Sequence, residues 1–173
     1  MASGMWELPF GAGRRWGADW TGLTNALLGG WGVAGIVRLT SGQPFGLTVQ
    51  GDPANIGQGT RPNLVGDPTR PEGANELEEF FNTAAFEAPE PFTFGNLARN
   101  ALIGPSAKVV DFATFKQFMV TDAVTVQFRF EAFNLFNTPN FVLPGSVLGT
   151  PQFGQISSAG RARNLQFGLK IVF

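Results

Sequence analysis

Residues 163–173 read Arg163-Asn164-Leu165-Gln166-Phe167-Gly168-Leu169-Lys170-Ile171-Val172-Phe173, and the fold turns on them. From Leu165 onward every odd position is apolar: Leu165, Phe167, Leu169, Ile171 and Phe173. The even positions are Asn164, Gln166, Gly168, Lys170 and Val172, mostly polar. Successive side chains of a strand point to opposite faces, so this is a strand with one dry side. Its length matches the roughly ten residues that a tilted strand needs to cross a bilayer.

Working outward, residues 124–132 repeat the pattern. Val124, Val126, Phe128, Phe130 and Ala132 fall on one face, and Thr125, Gln127, Arg129 and Glu131 on the other. A third run, 109–120, is rich in β-formers, but its alternation slips between Ala113 and Lys116, which predicts a bulge there. A fourth, 31–49, places Trp31, Val33, Val37 and Leu39 on one face, with Gly35 interrupting. A fifth, from Met5 to Pro9, is short. The spacing predicts a helix around residues 21–28, stopped by Gly29-Gly30. A second helix is predicted over residues 76–81, behind Asn75 as N-cap.

The connections alternate in length. Residues 120–123 form a tight turn, whereas 50–106 and 136–160 are long and rich in Pro and Gly. Short turns on one side and long loops on the other describe an up-and-down membrane barrel. The expected fold is therefore all-β: an antiparallel up-and-down transmembrane β-barrel segment of about five strands, an open sheet in isolation, with long external loops. Counting back from a periplasmic C-terminus puts both long loops outside the cell.

Composition supports a lipid-facing surface. Charged residues are 14% of the 173-residue chain, against roughly 25% in soluble domains. The 12 Lys+Arg balance 13 Asp+Glu to a net charge of −1, so no basic stripe exists to neutralise the phosphates of a nucleic acid. The chain contains no Cys and no His. Thiolate chemistry, disulfides, Cys/His zinc sites and the commonest general base are thereby removed. We expect no enzyme, no cofactor, no metal site and no catalytic residue. No apolar run is long enough for a transmembrane helix. The first residues lack a leader pattern, so the expectation is a fragment whose export signal lies upstream.

Several groups invite sharper readings. Gly11-Ala-Gly13-Arg-Arg-Trp-Gly17 has the wrong spacing for a dinucleotide fingerprint and reads as a turn. Arg14 and Arg15 there are candidates for contact with lipid head groups or a plug. Glu72, Glu76, Glu78 and Glu79 read as a solvated face. Arg129 and Glu131 share the face that would point into a lumen, and Lys170 joins them from the last strand. Phe173 is the candidate assembly signal, a terminal aromatic after alternating apolar positions that barrel-assembly machinery would recognise.

A series of short motifs runs the length of the chain. It comprises Trp6-Glu-Leu-Pro-Phe-Gly-Ala-Gly-Arg-Arg-Trp16, Gly30-Trp31, Thr40-Ser-Gly-Gln-Pro-Phe45 and Arg61-Pro-Asn63. After these come Phe80-Phe-Asn-Thr-Ala-Ala-Phe86, Gly95-Asn96, Arg99-Asn100 and Gly104-Pro105. Last come Asp111 to Lys116, Phe130-Glu-Ala-Phe-Asn-Leu-Phe-Asn137, Pro139-Asn-Phe141 and residues 161–173. In this order they resemble TonB-dependent transporters of the Oar-like kind. The resemblance implies that residues 1–173 are one partial barrel domain, the C-terminal strands of a barrel of about 22, in the bacterial outer membrane. It implies uptake of an unidentified ligand. The implied partners are outer-membrane lipid, the barrel-assembly machinery, the remaining barrel and its plug, with TonB reached only through regions outside this chain. The absence of Tyr departs from the usual interfacial girdle of Tyr and Trp, leaving that role to Phe and the four Trp. The alternative is a soluble β-sandwich binding module, its apolar faces packed on each other.

Overall fold

A computed structural model describes residues 1–121 and 123–173, which divide into two compact units. The first unit is the sheet. Its strands are β1 (Ala2–Glu7), β2 (Trp31–Thr40), β3 (Ala107–Thr121), β4 (Val124–Phe133) and β5 (Asn164–Val172). They lie side by side in chain order, and the pairs β1–β2, β3–β4 and β4–β5 are antiparallel, from Ala2 opposite Val37 to Val172 opposite Thr125. This is the five-stranded open antiparallel sheet that the alternation predicts. The tight turn expected at 120–123 includes Asp122, which lies outside the described residues; beside it Thr121 pairs with Val124.

Register fixes the two faces, because directly opposed residues point to the same side. Leu165, Phe167, Leu169 and Ile171 oppose Ala132, Phe130, Phe128 and Val126, which in turn oppose Phe112, Thr114, Lys116 and Phe118. One face is therefore apolar across three strands. The other carries Thr125, Gln127, Arg129 and Glu131 of β4 beside Gln166 and Lys170 of β5. On β5, Leu165, Phe167, Leu169 and Ile171 are between 52% and 70% exposed. In a sandwich a second sheet would cover them, so the sandwich alternative is not the fold.

The slip in β3 is not a bulge. Register runs unbroken from Phe112 to Met119, and the irregularity lies between Met119 and Thr121. The alternation slips because Lys116 stands on the apolar face and Phe115 on the polar one. Each has a tertiary reason. The Lys116 ammonium donates to backbone carbonyls, and the Phe115 ring fills the space above Gly32.

Between β1 and β2 lies the expected helix, α1 (Gly22–Leu28). Gly30, at φ 69°, follows its end and turns the chain into β2. The helix expected at 76–81 does not form. Asn75 does cap, its Oδ1 accepting from Leu77 N at 3.0 Å, and its carbonyl accepts from Glu78 and Glu79. A single turn results, and a short 3₁₀ helix, Thr83–Ala85, forms further on behind Asn82.

The second unit, residues 40–107 and 140–160, is built from the two long connections. They are not loose loops. Leu47, Phe81, Ala85, Phe86 and Leu97 are each at most 4% exposed and form one core with Phe45 and Leu102, against which Phe153 packs. The Phe81 ring lies 5.2 Å from Phe153 and 5.5 Å from Phe86, edge to face in both cases. Val147–Leu148 of the second connection pairs in parallel with Thr48–Val49 of the first, and Phe80 N donates to Gly154 O.

Candidate functional site

The apolar face of the sheet has the chemistry of a lipid contact. Phe167 stacks obliquely on Phe130 at 5.0 Å and on Phe128 at 6.4 Å, and Trp31 meets Phe128 edge-on at 6.2 Å. Polar atoms there are satisfied from within. Thr114 Oγ1 donates to Gly32 O at 3.0 Å. Lys116, 3% exposed, donates through Nζ to Asn25 O at 3.3 Å and to Gly29 O, and lies over the rings of Trp31 and Phe118. Backbone and side-chain donors without partners are costly in hydrocarbon, and this arrangement leaves these two with partners.

The opposite face carries polar side chains on β4 and β5. Arg129 and Glu131, two apart on β4, are joined by an ion pair of 2.8 Å. Beside them a shallow depression of about 120 Å³ takes its lining from Ala34 and Ile36 of β2, Asp111 of β3 and this pair. The two charges predicted to share a face do so, but they serve each other. Lys170 stands opposite Gln127, away from that pair.

At the end of the sheet where the long connections leave, Asn134 ties three strands together. It is 7% exposed and holds φ at 51°, a left-handed conformation that Asn tolerates better than other residues with side chains. Its Nδ2 donates to Thr138 O and Arg161 O, its Oδ1 accepts from Thr138 N, and its own N–H donates to Asp111 Oδ1 at 2.9 Å. Asn137, also left-handed, accepts from Arg163 N. Periodicity says nothing of this clamp; the two Asn residues bracketing Leu135-Phe136 are the signal that was there to read.

The other candidates separate. Arg14 pairs with Glu7 at 2.8 Å, and the Arg15 guanidinium lies 5.5 Å from the Trp16 ring centre. Glu76 reaches Arg70 at 3.6 Å, and Glu79 accepts from Thr83. Among the described residues no group of three or more His, Cys, Asp or Glu side chains is placed to hold a metal ion. Phe173 lies past the last pair of the ladder and is 97% exposed. In the second unit, sequence reasoning missed Phe92 and Phe94, 77% and 70% exposed, with Phe92 held at φ 64°. A bulky residue in that region is strained, and such strain is found at contact sites. In the same unit, Asp67 accepts from Thr69 N and its hydroxyl, which hold its carboxyl below the usual range.

The chain matches one family model, described as Outer membrane beta barrel domain, over residues 1–166. No curated protein matches the chain, and no solved structure does.

Proposed function

This chain belongs to the outer membrane beta barrel domain family and resides in the bacterial outer membrane, and from that premise we propose that it is the C-terminal wall and external loop unit of a TonB-dependent transporter. The observation that carries the reading is the ordered motif series, now seen on its elements. Gly30-Trp31 opens β2, Thr40 to Phe45 forms its exit, Asn134 to Asn137 forms the clamp, and Arg163 leads into the closing strand. In this reading the apolar face meets lipid and the Arg129–Glu131 face lines the lumen. The packed unit of long connections stands outside the cell, and the 120–123 turn and α1 lie in the periplasm. Transport, not chemistry on a substrate, is the activity. The exposed rings of Phe92 and Phe94 offer an apolar contact to an incoming ligand. Contact with TonB runs through regions outside residues 1–173, and the barrel-assembly machinery engages the last strand at Phe173.

The test is in-cell cross-linking of the intact protein to TonB. An adduct that disappears when the segment upstream of the barrel is removed supports the reading. A folded barrel with no adduct would leave an outer-membrane barrel of another function.

A further inference from the structure

Helix α1 is an unusual object for a periplasmic connection. It has seven residues, no acidic side chain in its first turn and no side-chain N-cap bond. A helix this short does not hold itself together in water. It nonetheless exposes Leu23, Leu27 and Leu28, at 78%, 62% and 56%. Leu23 and Leu27 are four apart and so share one side.

Its C-terminal end is finished as for a dry environment. The last carbonyls of a helix normally turn to water. Here Asn25 O accepts from Gly29 N at 3.0 Å and Lys116 Nζ at 3.3 Å, Leu27 O accepts from Trp31 Nε1 at 2.8 Å, and Gly29 O accepts from Lys116 Nζ. The two side-chain donors come from the apolar face of the sheet, where Lys116 stands opposite Phe128 and the Trp31 ring meets Phe128 edge-on. A cation at a helix C-terminus also meets the negative end of its dipole. All four Trp of the chain, Trp6, Trp16, Trp20 and Trp31, fall in the segments that flank the helix in sequence, and Trp is the residue that concentrates at membrane–water boundaries.

We propose that α1 is an interfacial helix docked on the outside of the barrel by Lys116 and Trp31, with Leu23 and Leu27 inserted among the acyl chains of the periplasmic leaflet. The occupant of its apolar side is phospholipid, because Lys116 and Trp31 hold the end of the helix on the face of the sheet that the proposed orientation gives to lipid. Lys116 is a positioning residue: its stem crosses the apolar face and its ammonium ends on the helix carbonyls. The proposal rests on the orientation assigned above.

The chain has no Cys, so single cysteines can be placed at will. The intact protein carrying Leu23→Cys or Leu27→Cys, each labelled with an environment-sensitive fluorophore, is reconstituted in phosphatidylethanolamine/phosphatidylglycerol vesicles. Leu169→Cys and Gln166→Cys are the controls for wall and lumen. Quenching is by lipid bearing a doxyl group near the top of its chain, or by aqueous iodide. The helix labels should lose emission to doxyl lipid as Leu169→Cys does, and resist iodide. Adding Lys116→Met should shift the Leu27 label toward iodide, with Lys116→Arg restoring the lipid contact. Iodide quenching alone at both helix sites would overturn the proposal. Protection from both quenchers would also overturn it, by showing that protein covers the helix. Lipid quenching unchanged by Lys116→Met would overturn the docking role of Lys116. Failure at Leu169 itself would instead sink the orientation of the wall.

Discussion

Gly32 and Phe115 press together on the polar face of the sheet: a Cβ built on Gly32 of β2 would fall 2.4 Å from Cζ of the Phe115 ring on β3. The backbone of Gly32 is not left-handed, so the glycine is there for room and not for conformation. Gly32→Ala should therefore cost about 1–3 kcal/mol, the usual range for overpacking. Gly32→Ala with Phe115→Leu should recover much of it. The measurement is the urea midpoint of the intact protein in phospholipid vesicles. Equal midpoints for Gly32→Ala and wild type would show that the ring moves aside freely.

Asn134 should be hard to replace. Ala loses three side-chain hydrogen bonds, each worth about 0.5–1.5 kcal/mol, and adds a left-handed penalty of about 1 kcal/mol. We expect a loss of about 2.5–5.5 kcal/mol for Asn134→Ala, and a smaller one for Asn134→Gly, which keeps the backbone conformation at φ 51°. Equal losses in urea titration would mean that the backbone angle contributes nothing.

The sheet was legible because lipid on one side and water on the other write a period of two into β4 and β5. The same test misread β3. Lys116 and Phe115 break the alternation locally, and the partners that justify them, carbonyls of residues 25 and 29 and the bare face of Gly32, are more than 80 residues away in the chain. The packed unit of long connections was read as loops for a related reason. Its core residues Leu47, Phe81, Phe86 and Leu97 follow no period, because they come from turns and two-residue ladders. Asn75 carried a true cap signal, but Phe80 N donates to Gly154 O in place of a helix carbonyl and Phe81 is drawn into the core, so the helix stops after one turn. Of the candidate site, the Arg129–Glu131 face was readable from spacing; the Asn134 clamp needed tertiary contacts.

The two faces of β5 should respond differently to one substitution. Phe167 lies among Phe128 and Phe130 on the apolar face, and Arg there should cost about 2–4 kcal/mol if the site is near the bilayer midplane. Gln166→Arg, on the neighbouring residue but the opposite face, should cost little. Urea titration in vesicles reads both. Similar losses at the two positions would contradict the assignment of the apolar face to lipid.

Phe81 anchors the unit of long connections. Its ring touches Phe45, Phe86 and Phe153, and Phe81→Ala should cost that unit about 3–5 kcal/mol. Proteases added to intact cells should then cut within residues 50–106, while the wall keeps its heat-modifiable migration on gels. Unchanged protection would show that the core tolerates the cavity.

Phe173 continues the parity of Leu165, Phe167, Leu169 and Ile171 but lies beyond the Val172–Thr125 pair, 97% exposed. Among the described residues its ring makes no aromatic contact and stays exposed, so burial within this sheet does not account for an aromatic there. A transient apolar contact with the assembly machinery is the role we propose, worth roughly 1.5–3 kcal/mol if the ring is fully buried in that encounter. Deleting Phe173, or Phe173→Asp, should lower the heat-modifiable fraction in isolated outer membranes by severalfold. Phe173→Trp and Phe173→Tyr should retain it, and so should Gln166→Asn on the lumen face. The urea midpoint of whatever deletion protein does assemble should match wild type, because the residue acts before the barrel closes. Equal folded yields for wild type, the deletion and the Asp variant would make Phe173 an ordinary strand end. A lowered midpoint together with a lowered yield would assign the ring to the stability of the closed barrel instead.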